Sequence, residues 1–420
     1  MWRLVSTCAF LQKSPFVVLA RFSRGTSVGT ILLCLAAMSF PIERAMAQSQ
    51  TTASAKRPEI VRSFPLTKFY DTPDPLPPGR PGELIRATAF EEYDLPPGVS
   101  AVRLLYHSRS ARGDDVAASG VVLFPDEKPP AEGWPVIAWA HGLSGVARQC
   151  APSLARNLQH GPFLSMYVGL GYAVVATDYT GLGTRFRNAF ADTPSNALDV
   201  IYSIPAARRA APELGSRWIA MGSGEGGMAV VAVAELEHDI HDPNYLGSIA
   251  ISRLTDLQDM YEPLSSLSYK SPLFLAYGIK NVYPHFDVID ILTDKALPLY
   301  QQIGQVCSDT EAAQNASVAE MLRPNWENNK FVVQYFSRNR LGLKPAIAPL
   351  LVIGSEIGPS IGQTTKIVAR LCKQKDRVQF ERYPESDPDK VIGDSVRDQI
   401  AWIQARFGNG PIRSNCSAQH

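Results

Sequence analysis

The sequence predicts an α/β protein: a mostly parallel sheet of eight strands, helices on both faces, and an inserted helical cap. Three observations carry this. Short runs such as Pro135–Ala140 and Tyr172–Thr177 are almost wholly apolar, as strands are when both faces of a sheet are covered. These runs alternate with stretches of helical period, the pattern of a parallel sheet packed between helices. The alternation stops over residues 254–343, which are rich in Tyr, Leu, Pro and Asn, and then resumes. With 420 residues, 45% hydrophobic and 19% charged, the chain is long enough for one large domain carrying such an insertion or for two domains. A net charge of +1 gives no electrostatic reason to expect a nucleic-acid partner.

The chain opens with the marks of export. Arg21 and Arg24 precede an apolar run, Val28–Phe40, and Ala45-Met46-Ala47 is an A-x-A site. This predicts a signal peptide over residues 1–47, cleaved after Ala47. The run is too short for a comfortable membrane span, so the mature chain is expected to be secreted or periplasmic, with no transmembrane segment. Cleavage leaves Cys150, Cys307, Cys372 and Cys416. An even count in an exported chain predicts disulfides, with three pairings open. The cysteine spacings match no zinc pattern, and neither a metal nor a cofactor is expected.

Residues 48–68 read as a polar linker. Pro73–Pro81 is predicted to be an extended arm across the core, because proline fixes φ and restrains the residue before it. The core is placed at 69–253 and 344–409, the cap at 254–343 and a tail at 410–420. Val102–His107 and Ala118–Phe124 form a predicted hairpin through the turn Ser110–Asp115. The other strands are Pro135–Ala140, Tyr172–Thr177, Trp218–Met221, Leu246–Ile251, Pro349–Gly354 and Val378–Tyr383. Helical patterns cover Ala151–Leu170, Asn196–Ala211, Gly226–Leu236, Gln363–Lys373 and Val391–Phe407.

One stretch organises the rest: Trp218–Val230, WIAMGSGEGGMAV. It reads as a buried strand, a tight glycine turn and a helix start, the setting of a nucleophile elbow with the pattern G-x-S-x-G. Gly222 and Gly226 hold the outer glycine positions. The middle position, where the nucleophile belongs, is Gly224. Active sites in open parallel sheets lie at the carboxyl ends of the strands, and the elbow is at such an end.

Together with four further stretches, the elbow resembles the secretory lipase family, the fungal lipase A-like group of α/β-hydrolases. These are FYDTPDPLPPGRPGELIRA from Phe69, WPVIAWAHGLSGVARQCAPS from Trp134, GYAVVATDYTGLGT from Gly171 and APLLVIGS from Ala348. The resemblance implies an α/β-hydrolase fold and hydrolysis of carboxylic esters by Ser, Asp and His in that chain order. The serine attacks the acyl carbon, the imidazole carries the proton, and the carboxylate orients the imidazole. Backbone amides of Glu225 and of the loop at His141 and Gly142 would form the oxyanion hole.

All three catalytic slots depart from the family pattern. Gly224 has no nucleophilic atom, and Ser223, one residue early, is expected to point elsewhere at a sharp turn. The acid slot falls on Ile357, with Glu356 beside it. The histidine slot falls on Pro388 in Glu385-Ser386-Asp387-Pro388-Asp389, and no histidine lies between Phe286 and Gln419. The substitutes the sequence offers are Ser223 as nucleophile, Glu356 or Asp387 as carboxylate, and His285 from the cap as base. His141 reads as structural, and His160, His238 and His241 as solvated. The Glu225 side chain reads as a carboxylate favoured by a helix N-terminus.

Three functions fit. The first is a non-catalytic relative that keeps its pocket and binds an apolar or acyl ligand. The second is an active ester hydrolase with a rebuilt site. The third is a structural or interaction protein. Each triad member is needed for most of the rate, which favours the first. Mass spectrometry of the exported protein should find an N-terminus near Gln48; an intact Met1 in a cytoplasmic fraction would contradict the signal peptide.

Overall fold

The computed structural model describes residues 63–261, 270–305, 307–308, 317–358 and 360–416; the predicted signal peptide, most of the linker, and His420 lie outside the described residues. Nine strands pair into one sheet: β1 (Leu84–Ala89), β2 (Val99–Arg109), β3 (Asp115–Pro125), β4 (Trp134–Ala140), β5 (Ala173–Thr177), β6 (Leu214–Ser223), β7 (Tyr245–Ile251), β8 (Leu350–Ser355) and β9 (Val378–Tyr383). Their order is β1-β2-β3-β5-β4-β6-β7-β8-β9. The first three are antiparallel, β5 runs antiparallel to β3, and from β5 to β9 all neighbours are parallel.

All eight predicted strands are present, and β1 is the ninth. Its segment, LIRATA, is half-buried at two positions and exposed at four. An edge strand that buries so little shows no apolar run to read. The hairpin of β2 and β3 pairs in unbroken register from Val99–Pro125 to Arg109–Asp115.

Alternate side chains of each central strand feed opposite cores, following the two-residue period of a strand. Val136 and Ala138 face α2 (Thr193–Ala210) and α3 (Glu225–Ile240). Ile137 and Trp139 face α1 (Gly161–Gly169), whose Leu164 and Val168 belong to that core. The predicted helix over Ala151–Leu170 is shorter than its apolar pattern suggests. Two 3-10 turns, Arg148–Cys150 and Pro152–Leu154, come first. Leu158 and Gln159 take positive φ, which breaks any α-helix there. Pro162 then opens α1, a position where its missing N–H is not needed.

Between β7 and β8 the chain forms α4 (Leu257–Met260), α5 (Lys270–Val282), α6 (Leu297–Ile303), α7 (Val318–Met321) and α8 (Lys330–Arg338). They share an apolar core that includes Phe274, Ile279, Phe286 and Tyr335. Asp192 bolts this insertion to the sheet. It is fully buried, caps α2 by accepting from the Ser195 N–H, and takes the Arg338 guanidinium at 2.7 Å. After β8 come α9 (Ser360–Lys373), α10 (Val391–Asp394) and α11 (Val396–Phe407). The last two break at Ser395 where one helix was predicted.

The cysteines pair as Cys150–Cys307 and Cys372–Cys416. The first joins the loop after β4 to the insertion, and the second joins the end of α9 to the C-terminal tail. Thiol titration of the unfolded, unreduced protein should find all four cysteines blocked. Replacing Cys372 and Cys416 together by serine should lower stability by about 2–4 kcal/mol, read as a shift in the urea midpoint; free thiols or an unchanged midpoint would contradict this.

Candidate functional site

β6 ends at Ser223 and α3 begins at Glu225, so one residue, Gly224, makes the turn. Its φ is 59° and its ψ is −119°, a conformation that glycine adopts freely and other residues resist. The turn is this sharp because the first turn of α3 lies against the end of β4. A Cβ at Gly226 would stand 1.9 Å from the Ala140 carbonyl oxygen, and one at Gly222 would stand 2.3 Å from that of Gly226. Those two glycines are fixed by backbone contact. Gly224 is different: the nearest atom to a Cβ built there is the Gly142 Cα, at 4.0 Å. There is room for a side chain at the apex.

The same contact brings Gly142, from the loop after β4, against the elbow. The amide of Glu225 is the first of α3 and has no acceptor within the helix. His141 props this loop from behind. Its ring lies on Tyr179 with centroids 4.3 Å apart, and its Nε2 is 3.1 Å from the Asp178 carbonyl. The Tyr179 hydroxyl donates to the His141 carbonyl at 2.9 Å. Burial pushes the imidazole down to about 4, against the opposing pull of the Asp178 and Gly142 carbonyls. The ring is therefore neutral at physiological pH.

Glu225 does not serve as a solvated helix-end carboxylate. Its side chain turns inward and accepts from the Ala191 N–H at 3.0 Å and the Asn196 amide at 2.9 Å. Burial raises its pKa, and these two hydrogen bonds oppose the rise. His160 is also not solvated: it packs edge-on to Trp139, and burial lowers its pKa.

The loop after β9 is tied by serine hydroxyls to the loops after β8 and β7. Ser355 donates to the Ser386 carbonyl at 2.5 Å, and Ser252 donates to the Pro388 carbonyl at 2.7 Å. Ser386 donates to Asp394 at 2.5 Å. Around this seam, Ile357 is 43% exposed, Glu356 faces Arg382 at 3.8 Å, and Asp387 accepts from the Asp389 N–H. His285 is exposed in the turn after α5. Among the described residues, the Ser223 hydroxyl bonds no imidazole and no carboxylate. The structure thus brings Gly142, Gly224 and Glu225 together, and joins the Ile357 and Pro388 loops, but it does not bring Ser223 to His285.

The insertion closes over the loop at Gly142. Ser308 donates its N–H to the Ser144 carbonyl at 2.9 Å and its hydroxyl to the Leu143 carbonyl at 3.0 Å. The Cys150–Cys307 disulfide holds this contact. No group of three or more His, Cys, Asp or Glu is placed to hold a metal ion among the described residues.

Sheet order, elbow and insertion define an α/β-hydrolase fold. Solved structures of this fold resemble the chain. Candida antarctica lipase A is 16% identical with a TM-score of 0.68, over 84% of this chain and 89% of that one. The same lipase in its closed state gives 18% identity and 0.66, over 83% and 88%. The rice cell wall degrading esterase LipA from Xanthomonas oryzae gives 16% and 0.64, over 78% and 98%. At these identities the likeness establishes the fold. No protein-family model matches the sequence, and no curated protein matches it either.

Sequence reasoning missed Ser252, Ser355, Tyr179 and Asn196. Lone serines carry no pattern, and the Ser252 backbone adopts φ 62°, which no sequence signal announced.

The His141 shift has a stability consequence. Below its ordinary value near 6.5 the unfolded chain takes up a proton that the folded chain refuses down to about 4. Stability from this group is therefore present at neutral pH and lost as pH falls through that window, by about 3 kcal/mol in all. Glu237 and Asp199, pushed up to about 7 and about 6 by burial, act in the opposite direction, so the test is a comparison. Urea unfolding at pH 7 and pH 4.5 should show a smaller acid loss in His141→Gln than in the unmodified protein; equal losses would contradict the assignment.

Proposed function

We propose that this chain is an exported α/β-hydrolase relative that binds an apolar or acyl ligand without hydrolysing it. The observation that carries this reading is the elbow apex. Gly224 keeps the turn and leaves open space where a nucleophile would sit. Pro388 and Ile357 stand where the family resemblance puts the histidine and the acid; the loops bearing them are joined by the Ser355-to-Ser386 carbonyl bond, and Ser252 at the end of β7 donates to the Pro388 carbonyl.

Several features support binding. Leu143 and Ile357, on the loops after β4 and β8, are 44% and 43% exposed. The similar structures are a lipase and an esterase, which makes an acyl group the ligand class the fold suggests. Ligand sites of this kind are concave, apolar and largely preformed. The two disulfides suit an oxidising compartment, and no helix among the described residues is long and apolar enough to cross a membrane.

Loss of the serine or the histidine from a triad lowers turnover roughly a million-fold. The two act as a unit, so losing both should not multiply the deficit. Purified protein should not turn over p-nitrophenyl esters, should not be labelled by a serine-directed fluorophosphonate, and should be stabilised in thermal-shift assays by one or more fatty acids. Gly224→Ser should fold, lose about 1–3 kcal/mol to backbone strain and remain inactive for want of a base. Robust turnover abolished by Ser223→Ala would overturn the reading in favour of a rebuilt hydrolase.

A further inference from the structure

A cavity of about 390 Å³ lies away from the elbow, between the β2–β3 turn, residues 185–189 and the end of α5. Four cations line it: Arg112, Arg185, Arg187 and Lys280. Two of them are already matched. Arg112 grips Asp114 at 2.7 and 2.9 Å, and Arg185 faces Asp74 at 3.0 Å. Among the described residues, the other two have no acidic partner. Lys280 rests its ammonium on the Pro284 and Phe286 carbonyls at 3.1 and 2.6 Å. Arg187 makes no hydrogen bond or ion pair among the described residues.

The remaining carboxylate of the lining does not cancel them. Asp199 is buried, and its oxygens are taken by the Ser108 hydroxyl and by the Thr180 amide and hydroxyl, the latter two at 2.7 and 2.9 Å. A cleft lined by unmatched charge of one sign concentrates ligands of the other sign. A guanidinium and an ammonium lining one cavity suit carboxylate and phosphate oxygens, which take charge-assisted hydrogen bonds from either.

We infer that this cavity binds a small organic anion bearing a carboxylate or a phosphate, held by Arg187 and Lys280. The site is separate from the elbow: Asn196 stands between them, lining the cavity while its amide donates to Glu225. The inference does not rest on the reading of Gly224.

The test is a thermal-shift and calorimetric titration of the full exported chain with sodium phosphate and sodium succinate, against sodium chloride at matched ionic strength. One or both anions should stabilise the protein beyond chloride. Response to phosphate alone would mark a phosphate ligand, and response to succinate alone a carboxylate. Arg187→Gln, which removes no hydrogen bond or ion pair among the described residues, should weaken binding about tenfold. Lys280→Gln should do the same, and Arg217→Gln, at a different surface cleft, should leave it unchanged. Stabilisation no greater than chloride for both anions, or affinity unaltered in Arg187→Gln, would overturn the inference.

Discussion

The contact between the first turn of α3 and the end of β4 is the constraint on which the rest of the site depends. Backbone meets backbone there so closely that Gly222 and Gly226 admit no Cβ. The strand-to-helix turn must then be completed in the single residue between Ser223 and Glu225. The elbow is therefore a property of how this sheet and helix pack, with or without a nucleophile. That explains how the geometry persists around a glycine. In an active elbow the apical residue carries backbone strain, held in place by the surrounding packing. Glycine at φ 59° removes that strain and leaves the packing intact.

A second set of contacts fixes the insertion on the sheet. Asp192 is both the cap of α2 and the partner of Arg338. Beside it, Asn339 accepts from the Thr193 N–H at 2.7 Å, and the Tyr335 hydroxyl donates to the Phe190 carbonyl. On the other side, Arg370 pairs with Asp256 at 2.8 Å. Each pair sets a buried or nearly buried carboxylate against a partly exposed guanidinium, and a carboxylate left there without its partner would be destabilising, so the insertion is anchored rather than merely resting. With Ser308 bonded across Leu143 and Ser144, the loop facing Gly224 is held from above by the insertion and from behind by His141.

What was legible in the sequence follows from what each residue buries. The central predicted strands were readable because both their faces are apolar, and β9 because its buried apolar residues alternate with polar ones. β1 was not, because its side chains stay largely exposed. The helix over Ala151–Leu170 was overread because its apolar residues do pack into the core, but through 3-10 turns and positive-φ residues. Gly224 was readable directly, since a missing side chain needs no partner to be noticed. The inward turn of Glu225, the serine seam and the cation-lined cavity were not. Each is made by residues far apart in the chain: Ser252 meets Pro388, and Arg112 shares a cavity with Arg187 and Lys280. Cysteine pairing was open among three possibilities for the same reason.

His141 shows why a base for the proposed site is not supplied from the loop that faces Gly224. It belongs to that loop and is the chain neighbour of Gly142. A general base must reach the proton it takes and must be basic enough to hold it. His141 meets neither condition. Burial lowers its pKa to about 4, and its ring is occupied by the Tyr179 stack and the Asp178 carbonyl. Swinging it toward Gly224 would give up both contacts. It would also disturb the loop that Tyr179 holds through the His141 carbonyl, and with it the placement of Gly142. The residue that keeps the loop facing Gly224 in position cannot also leave its place to serve as a base.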